Sequence, residues 1–177
     1  MAKIAGAKQV SAKLRKGVSS QGLDLIQSVL FEAGQKVQTD AQASITEGAV
    51  SGAGHVPSAP GTAPNNDTGV LANNIETLET GPLKVTVSSN APYAAIQEFG
   101  GTIKHPGGTS YFPNGSGGVT FVSNEARDSV LGRNLPVTAA HNITLPARPY
   151  LGPALQKNKE RIAKRVAAAV NQANRMK

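Results

Sequence analysis

Between Leu23 and Ile45 the apolar residues fall at Leu23, Ile26, Val29, Leu30, Ala33, Val37, Ala41 and Ile45. Steps of three and four keep them on one face of a helix. The pattern predicts one amphipathic helix running to about Glu47, about 37 Å long at 1.5 Å per residue. A rod of that length constrains everything else: the rest of the chain must find its core against one side of it. Gly34 lies inside the run at a cost of about 1 kcal/mol relative to alanine. Its presence predicts the close approach of a neighbouring element. Gly48 is the expected stop.

A second helix is expected over residues 153–177, with Pro153 opening it. Leu155, Ile162, Val166, Ala169, Val170 and Ala173 share one face, and Lys and Arg cover the other. Between the two helices, "NNIETLET" and "LKVTVSSN" alternate with period two around Gly81-Pro82, which predicts a β-hairpin. "PYAAIQEFGG" follows, with Pro92 starting a short helix, Gly100 ending it, and Tyr93 and Phe99 anchoring it. A short strand is expected at Val119–Val122 and another in "NITL". The order implies an α+β fold: a small antiparallel sheet packed by two long helices, N-terminal and C-terminal, with long Pro/Gly-rich loops.

With 177 residues the chain is expected to be a single domain, 1–177. Hydrophobic residues make up 39% and aromatics only 4%, so the core must be aliphatic and modest. Residues 48–70 form an extended loop in which Pro57, Pro60 and Pro64 bar a regular helix or central strand. The same prolines stiffen it into an arm rather than a floppy linker. Residues 101–141 are expected as a Gly-rich loop insertion. No run of about 18 apolar residues is present, so no membrane partner is expected. No secretory pattern is seen at the N-terminus. The absence of cysteine removes disulfides and thiolate chemistry and fits a reducing cytoplasm.

Charge is unevenly placed. Residues 1–16 carry +5 and residues 157–177 carry +6, which leaves −4 for the middle of a chain of net charge +7. The basic N-terminal segment, 1–20, includes a helical period at Ile4, Ala7, Val10 and Leu14. Basic ends of this kind meet nucleic acid, an acidic partner or solvent. Few aromatics accompany them for base stacking.

Motifs for catalysis are weak. His55, His105 and His141 lie in expected loops and lack metal-helix spacing. "GGTSYFPNGSGG" lacks the spacing of a nucleophile elbow. "PGTAPNNDTG" lacks the lysine of a phosphate cradle. Glu76 and Glu79 lie on the hairpin, and Glu98 has no second acid nearby in sequence. Glu98 can therefore be read as a catalytic acid, or as a surface, capping or intersubunit carboxylate. Arg148, held between prolines in "PARPYLGP", is a candidate bidentate partner for it.

Three stretches, taken in order, are specific. They are "PSAPGTAPNNDTGVLANNI", "APYAAIQEFGG" and "LPARPYLGPAL", about a quarter of the chain. In this order they resemble the head–tail joining, or tail-completion, proteins of tailed bacteriophages, also catalogued as phage virion morphogenesis or minor tail proteins. The resemblance places Pro60, Gly61, Thr68, Gly69 and Leu71 in the loop and the start of the sheet. It places Tyr93, Glu98, Phe99 and Gly100 at a corner, and Arg148, Pro149, Tyr150, Leu151 and Pro153 in the connector to the last helix. These residues are expected to be structural or to lie at subunit interfaces. Tyr150 stands where phenylalanine is common.

The same resemblance implies a virion protein with no enzymatic activity and no cofactor, assembled in the host cytoplasm. It implies a homo-oligomeric ring, six subunits by family analogy, in the neck or upper tail. Neighbouring connector and tail-tube or tail-terminator proteins are the implied partners, with DNA in the lumen as a further contact. Physics points the same way: a small core for the chain length favours burial by oligomerisation. Two competing readings are a DNA-binding protein acting through its basic termini and a hydrolase using Glu98 or the histidines.

Overall fold

The computed structural model describes residues 17–114, 118–123 and 135–176. The helical period over residues 4–17 falls, except for Gly17, outside these residues, as does most of the basic N-terminal segment. The chain divides into two compact units, Met1–Phe99 with Ala147–Lys177, and Gly100–Pro146.

The first unit is built on helix α1, Ser20–Thr46, close to the expected span. Ser19 caps it by accepting from Gly22 N at 3.3 Å, and its hydroxyl also donates to Met176 O at 2.9 Å. One serine thus ties the start of α1 to the end of the last helix. Gly48, with φ +72, follows the C-terminus in the left-handed conformation expected of a stop. After a 3-10 turn at Gly52–Gly54 come a single helical turn, α2, Val70–Asn73, and the hairpin β1, Ile75–Gly81, with β2, Lys84–Ser89. The strands pair antiparallel from Ile75 opposite Ser89 to Gly81 opposite Lys84. The short helix α3 is Ala94–Phe99.

Both long helices are present, and α1 is the shared partner. The β1–β2 ribbon packs on it, and so does α4, Leu151–Arg175, the C-terminal helix. Two glycines of α1 explain how closely. A Cβ on Gly34 would stand 2.7 Å from Thr77 Cγ2 and 2.8 Å from Val85 Cγ1, so the hairpin lies directly on the helix backbone there. A Cβ on Gly22 would meet Ala173 Cβ of α4 at 2.9 Å. The expected reason for Gly34 is thereby met.

The core is aliphatic and small. Val37, Ala41, Ile45, Leu71, Ala72, Ile75, Ala91, Ala94, Tyr150 and Ala154 form one cluster, and Ile26, Ala169 and Ala173 a second. Tyr150, only 1% exposed, is the largest fully buried side chain. Burial raises the pKa of its hydroxyl, with the Ser89 hydroxyl beside it acting the other way.

In the second unit the stretch expected as a loop insertion holds strands. Strand β3, Gly101–His105, pairs antiparallel with β6, His141–Leu145. Strand β4, Tyr111–Pro113, pairs with β5, Val119–Phe121, the latter inside the predicted Val119–Val122. Gly107 turns the chain at φ +80, where a Cβ would lie 2.5 Å from Thr138 O. The small sheet of the fold is thus three separate two-stranded ribbons among the described residues.

Candidate functional site

The three sequence stretches that single out this chain meet in space within the first unit. Helix α4 begins after Tyr150, which offers no capping side chain of its own. The N–H groups that open a helix have no partner inside it and need acceptors. Glu98, the penultimate residue of α3, supplies them. Its Oε2 accepts from Tyr150 N at 2.8 Å and Leu151 N at 3.0 Å, and its Oε1 accepts from Gly152 N at 2.8 Å. The next residue, Pro153, has no N–H, and Ala154 N already reaches Tyr150 O at 3.4 Å. The first turn is left with no orphan donor. The helix dipole adds its attraction for the carboxylate. Gly152 keeps the approach open, since a Cβ there would stand 3.1 Å from Glu98 Oε1.

Within the subunit Glu98 and its candidate partner Arg148 do not pair through their side chains. Both carboxylate oxygens face backbone donors, and Arg148 turns to the loop, its Nε donating to Ser58 O at 3.0 Å. Arg148 still meets the corner through its backbone, its N donating to Gln97 O at 2.7 Å. Gly61 N donates to Ala147 O at 2.8 Å. Loop, corner and connector are therefore joined by hydrogen bonds at Ser58, Gly61, Gln97, Glu98, Ala147 and Arg148. The long arm is pinned elsewhere too: Asn66 N donates to Ile45 O at 2.9 Å, and Asp67 Oδ1 accepts from Gly52 N at 2.9 Å.

Other expected residues separate into buried and exposed sets. Leu71 and Tyr150 are core, and Gly69, at φ +80, turns the chain into α2. Thr68 and Pro60 are exposed, while Pro149 and Leu151 are half-buried. Of the two aromatics at the ends of α3, Tyr93 is 39% exposed and Phe99 78%. The buried contacts of that corner are Ala91 and Ala94, small enough to fit beneath a two-turn segment. Gly100, at φ +66, ends the helix as expected.

Two of the three histidines lie on strands rather than in loops. His105 and His141 sit opposite each other on β3 and β6, with ring centroids 4.9 Å apart, while His55 follows the 3-10 turn. Among the described residues no group of three or more His, Cys, Asp or Glu could hold a metal ion. Glu76 is taken up by Asn90, whose Nδ2 donates to it. Glu79 and Asp24 border a shallow groove beside the hairpin turn with Leu23, Gln27 and Gly81–Leu83, a lining without serine or histidine.

One polar centre escaped the sequence reading. Asp40 of α1 accepts from Asn158 Nδ2 of α4 at 2.6 Å and from Lys36 Nζ at 2.8 Å, with Lys157 Nζ 3.6 Å away. The Asn158 and Lys36 hydrogen bonds hold its pKa down to about 2, against the opposing effect of its burial. The i,i+4 spacing of Lys36 and Asp40 was the only local signal. Asn158, 118 residues away, gave none.

The family described as "Bacteriophage HK97-gp10, putative tail-component" matches residues 8–100, more than half of the chain. No curated protein and no solved structure gives a significant match.

Proposed function

The chain belongs to the HK97-gp10-like family of bacteriophage tail components, and from that premise we propose that it is a non-enzymatic ring protein of the neck or upper tail. There it joins the head to the tail or completes the tail's upper end. Copies of this chain are its first partners, six in a closed ring. Connector and tail-tube or tail-terminator proteins are its neighbours above and below. Its place is the virion, after assembly in the host cytoplasm.

The observation that carries the reading is the state of the second unit. Among its described residues no hydrophobic side chain is buried, and Ser110 alone is buried at all. Two-stranded ribbons are marginal in water without a covered face. A ring supplies such cover by heterologous contacts that close on themselves. The engagement of Glu98 adds to it: a carboxylate whose oxygens both accept from backbone N–H groups serves as a strut rather than as an acid or base.

The test is genetic and visual. Particles made without this chain are expected to show unattached or incomplete tails. In complete particles it is expected as a ring of fixed copy number near the head–tail junction. Normal, infectious tailed particles lacking the chain contradict the proposal.

A further inference from the structure

Helix α4 carries six cations, Lys157, Lys159, Arg161, Lys164, Arg165 and Arg175, and a single acid, Glu160. Two of the cations are engaged: Lys157 stands 3.6 Å from Asp40, and Arg165 pairs with Glu32 of α1. Arg161, Lys164 and Arg175 have no carboxylate within ion-pair distance among the described residues. Counted at 3.6 residues per turn, Lys157, Arg161, Lys164 and Arg175 follow one another at i, i+4, i+7 and i+18. Eighteen residues are five full turns, so the four lie on one face over about 27 Å. That face is turned from the buried side of α4 at Asn158, Ala169 and Ala173, with Lys157 alone of the four reaching α1, at Asp40; all four residues are exposed, Lys157 at 72%.

Between Lys164 and Arg175 the same face carries the exposed Ala168 and Asn171, with Gln172 and the helix's one acid, Glu160, at its edges. A protein-binding face is expected to offer aromatic or aliphatic anchors, and this stretch has none. Closely approachable helix surface with a net excess of positive charge suits a regular polyanion, whose phosphates need cations rather than pockets. We propose that the exposed face of α4 binds the phosphate backbone of duplex DNA without sequence preference. The proposal does not depend on ring formation, and a single subunit is expected to bind.

The test uses the full-length protein and a fluorescently labelled 24-base-pair duplex of random sequence, with anisotropy read between 50 and 200 mM salt. The combined variant R161A/K164A/R175A is compared with K3A/K8A/K13A, which removes the same charge from the other basic end. Alanine favours helix, and circular dichroism checks that α4 persists. The expected result is a loss of at least tenfold in affinity at 100 mM salt for the α4 variant. Its log affinity–log salt slope should become shallower by about 2 to 3, at about 0.9 per phosphate contact. The N-terminal variant should change less than twofold, and R161K/K164R/R175K should restore binding. Equal losses in both variants, or a loss confined to the N-terminal variant, overturn the proposal. So does the absence of wild-type binding at 50 mM salt. Competition by poly-glutamate at the concentration of duplex phosphate that competes also overturns it, and points to an acidic protein instead.

Discussion

The first unit, built on α1, and the second, Gly100–Pro146, solve the problem of burial in different ways. Every buried hydrophobic side chain among the described residues belongs to the first unit. There a long helix, a hairpin and a second long helix close over alanine, valine and isoleucine, with Tyr150 filling the largest space. In the second unit the pattern is amphipathic but uncovered. Ile103 stands directly opposite Ile143, and both are exposed. On the other face Thr102 opposes Thr144 and Lys104 opposes Asn142. Phe112, Val119 and Phe121 of the β4–β5 ribbon are exposed as well. The contrast teaches where self-sufficiency ends: one unit has a core, and the other has an apolar face waiting for one.

The sharpest way to break this comparison is to separate the units. Arg148 N lies 2.7 Å from Gln97 O, so a short Gly-Ser linker from Gly100 to Ala147 should close the gap left by removing residues 101–146. The shortened chain is expected to keep a cooperative thermal transition, while a peptide of residues 100–146 shows none by circular dichroism. Loss of the transition in the shortened chain would mean that the first unit is not self-sufficient.

The next effect concerns the strut. Glu98→Ala removes three charge-assisted hydrogen bonds from the start of α4, and should lower stability by about 2–3 kcal/mol in urea melts. Glu98→Gln, which retains one acceptor oxygen, should cost less. A change under about 0.5 kcal/mol for Glu98→Ala would show that water caps the helix equally well. At the hairpin contact, Gly34→Ala forces a methyl against Thr77 and Val85 and should cost about 1–3 kcal/mol despite the better helix propensity. A stabilised Gly34→Ala variant would show that the hairpin moves aside freely.

Acid should distinguish the units as well. Asp40 has its folded pKa depressed, from 3.8 to about 2, so its stabilising effect is fully present above about pH 4. It is lost as the pH falls through the folded value near 2. Asn158→Ala should narrow that window, seen as a flatter acid limb in pH-dependent melts, while leaving the second unit unaffected. An unchanged acid limb would remove Asp40 from the account. The smallest effect is at Ser58, whose Oγ is buried without a partner. Ser58→Ala should be neutral or stabilising by up to about 1 kcal/mol, because no hydrogen bond is lost. A cost above that would reveal a partner for the hydroxyl.

Much of the first unit was legible because its signals are local. The three-and-four spacing from Leu23 to Ile45, the alternation around Gly81-Pro82 and the glycine stops at Gly48 and Gly100 each act within a few residues. Gly34 even announced its neighbour. The corner was legible as a motif but not in its bonding. Arg148 looked like the partner of Glu98 because side-chain charges pair in sequence reasoning, while backbone N–H groups are invisible there. The cue lay in "RPYLGP", a helix start with proline at its third position and no serine, threonine, aspartate or asparagine to cap it. Phe99, read as an anchor of α3, is 78% exposed, because a helix of six residues covers little beyond Ala91 and Ala94. Of the strands of 101–145, β5 and β6 were legible at Val119–Val122 and in "NITL", while β3 and β4 were obscured by the glycines and prolines around them, although Thr102-Ile103-Lys104 alternates.

The central claim is that the second unit is completed by neighbouring chains. Amide hydrogen exchange read across residues 101–105 and 141–145, in the free subunit and in assembled particles, tests it most directly. The account predicts fast exchange in the free subunit, near that of a frayed ribbon, and strong protection in the particle, with α1 protected in both. Ribbon amides protected equally well in the free subunit would contradict it.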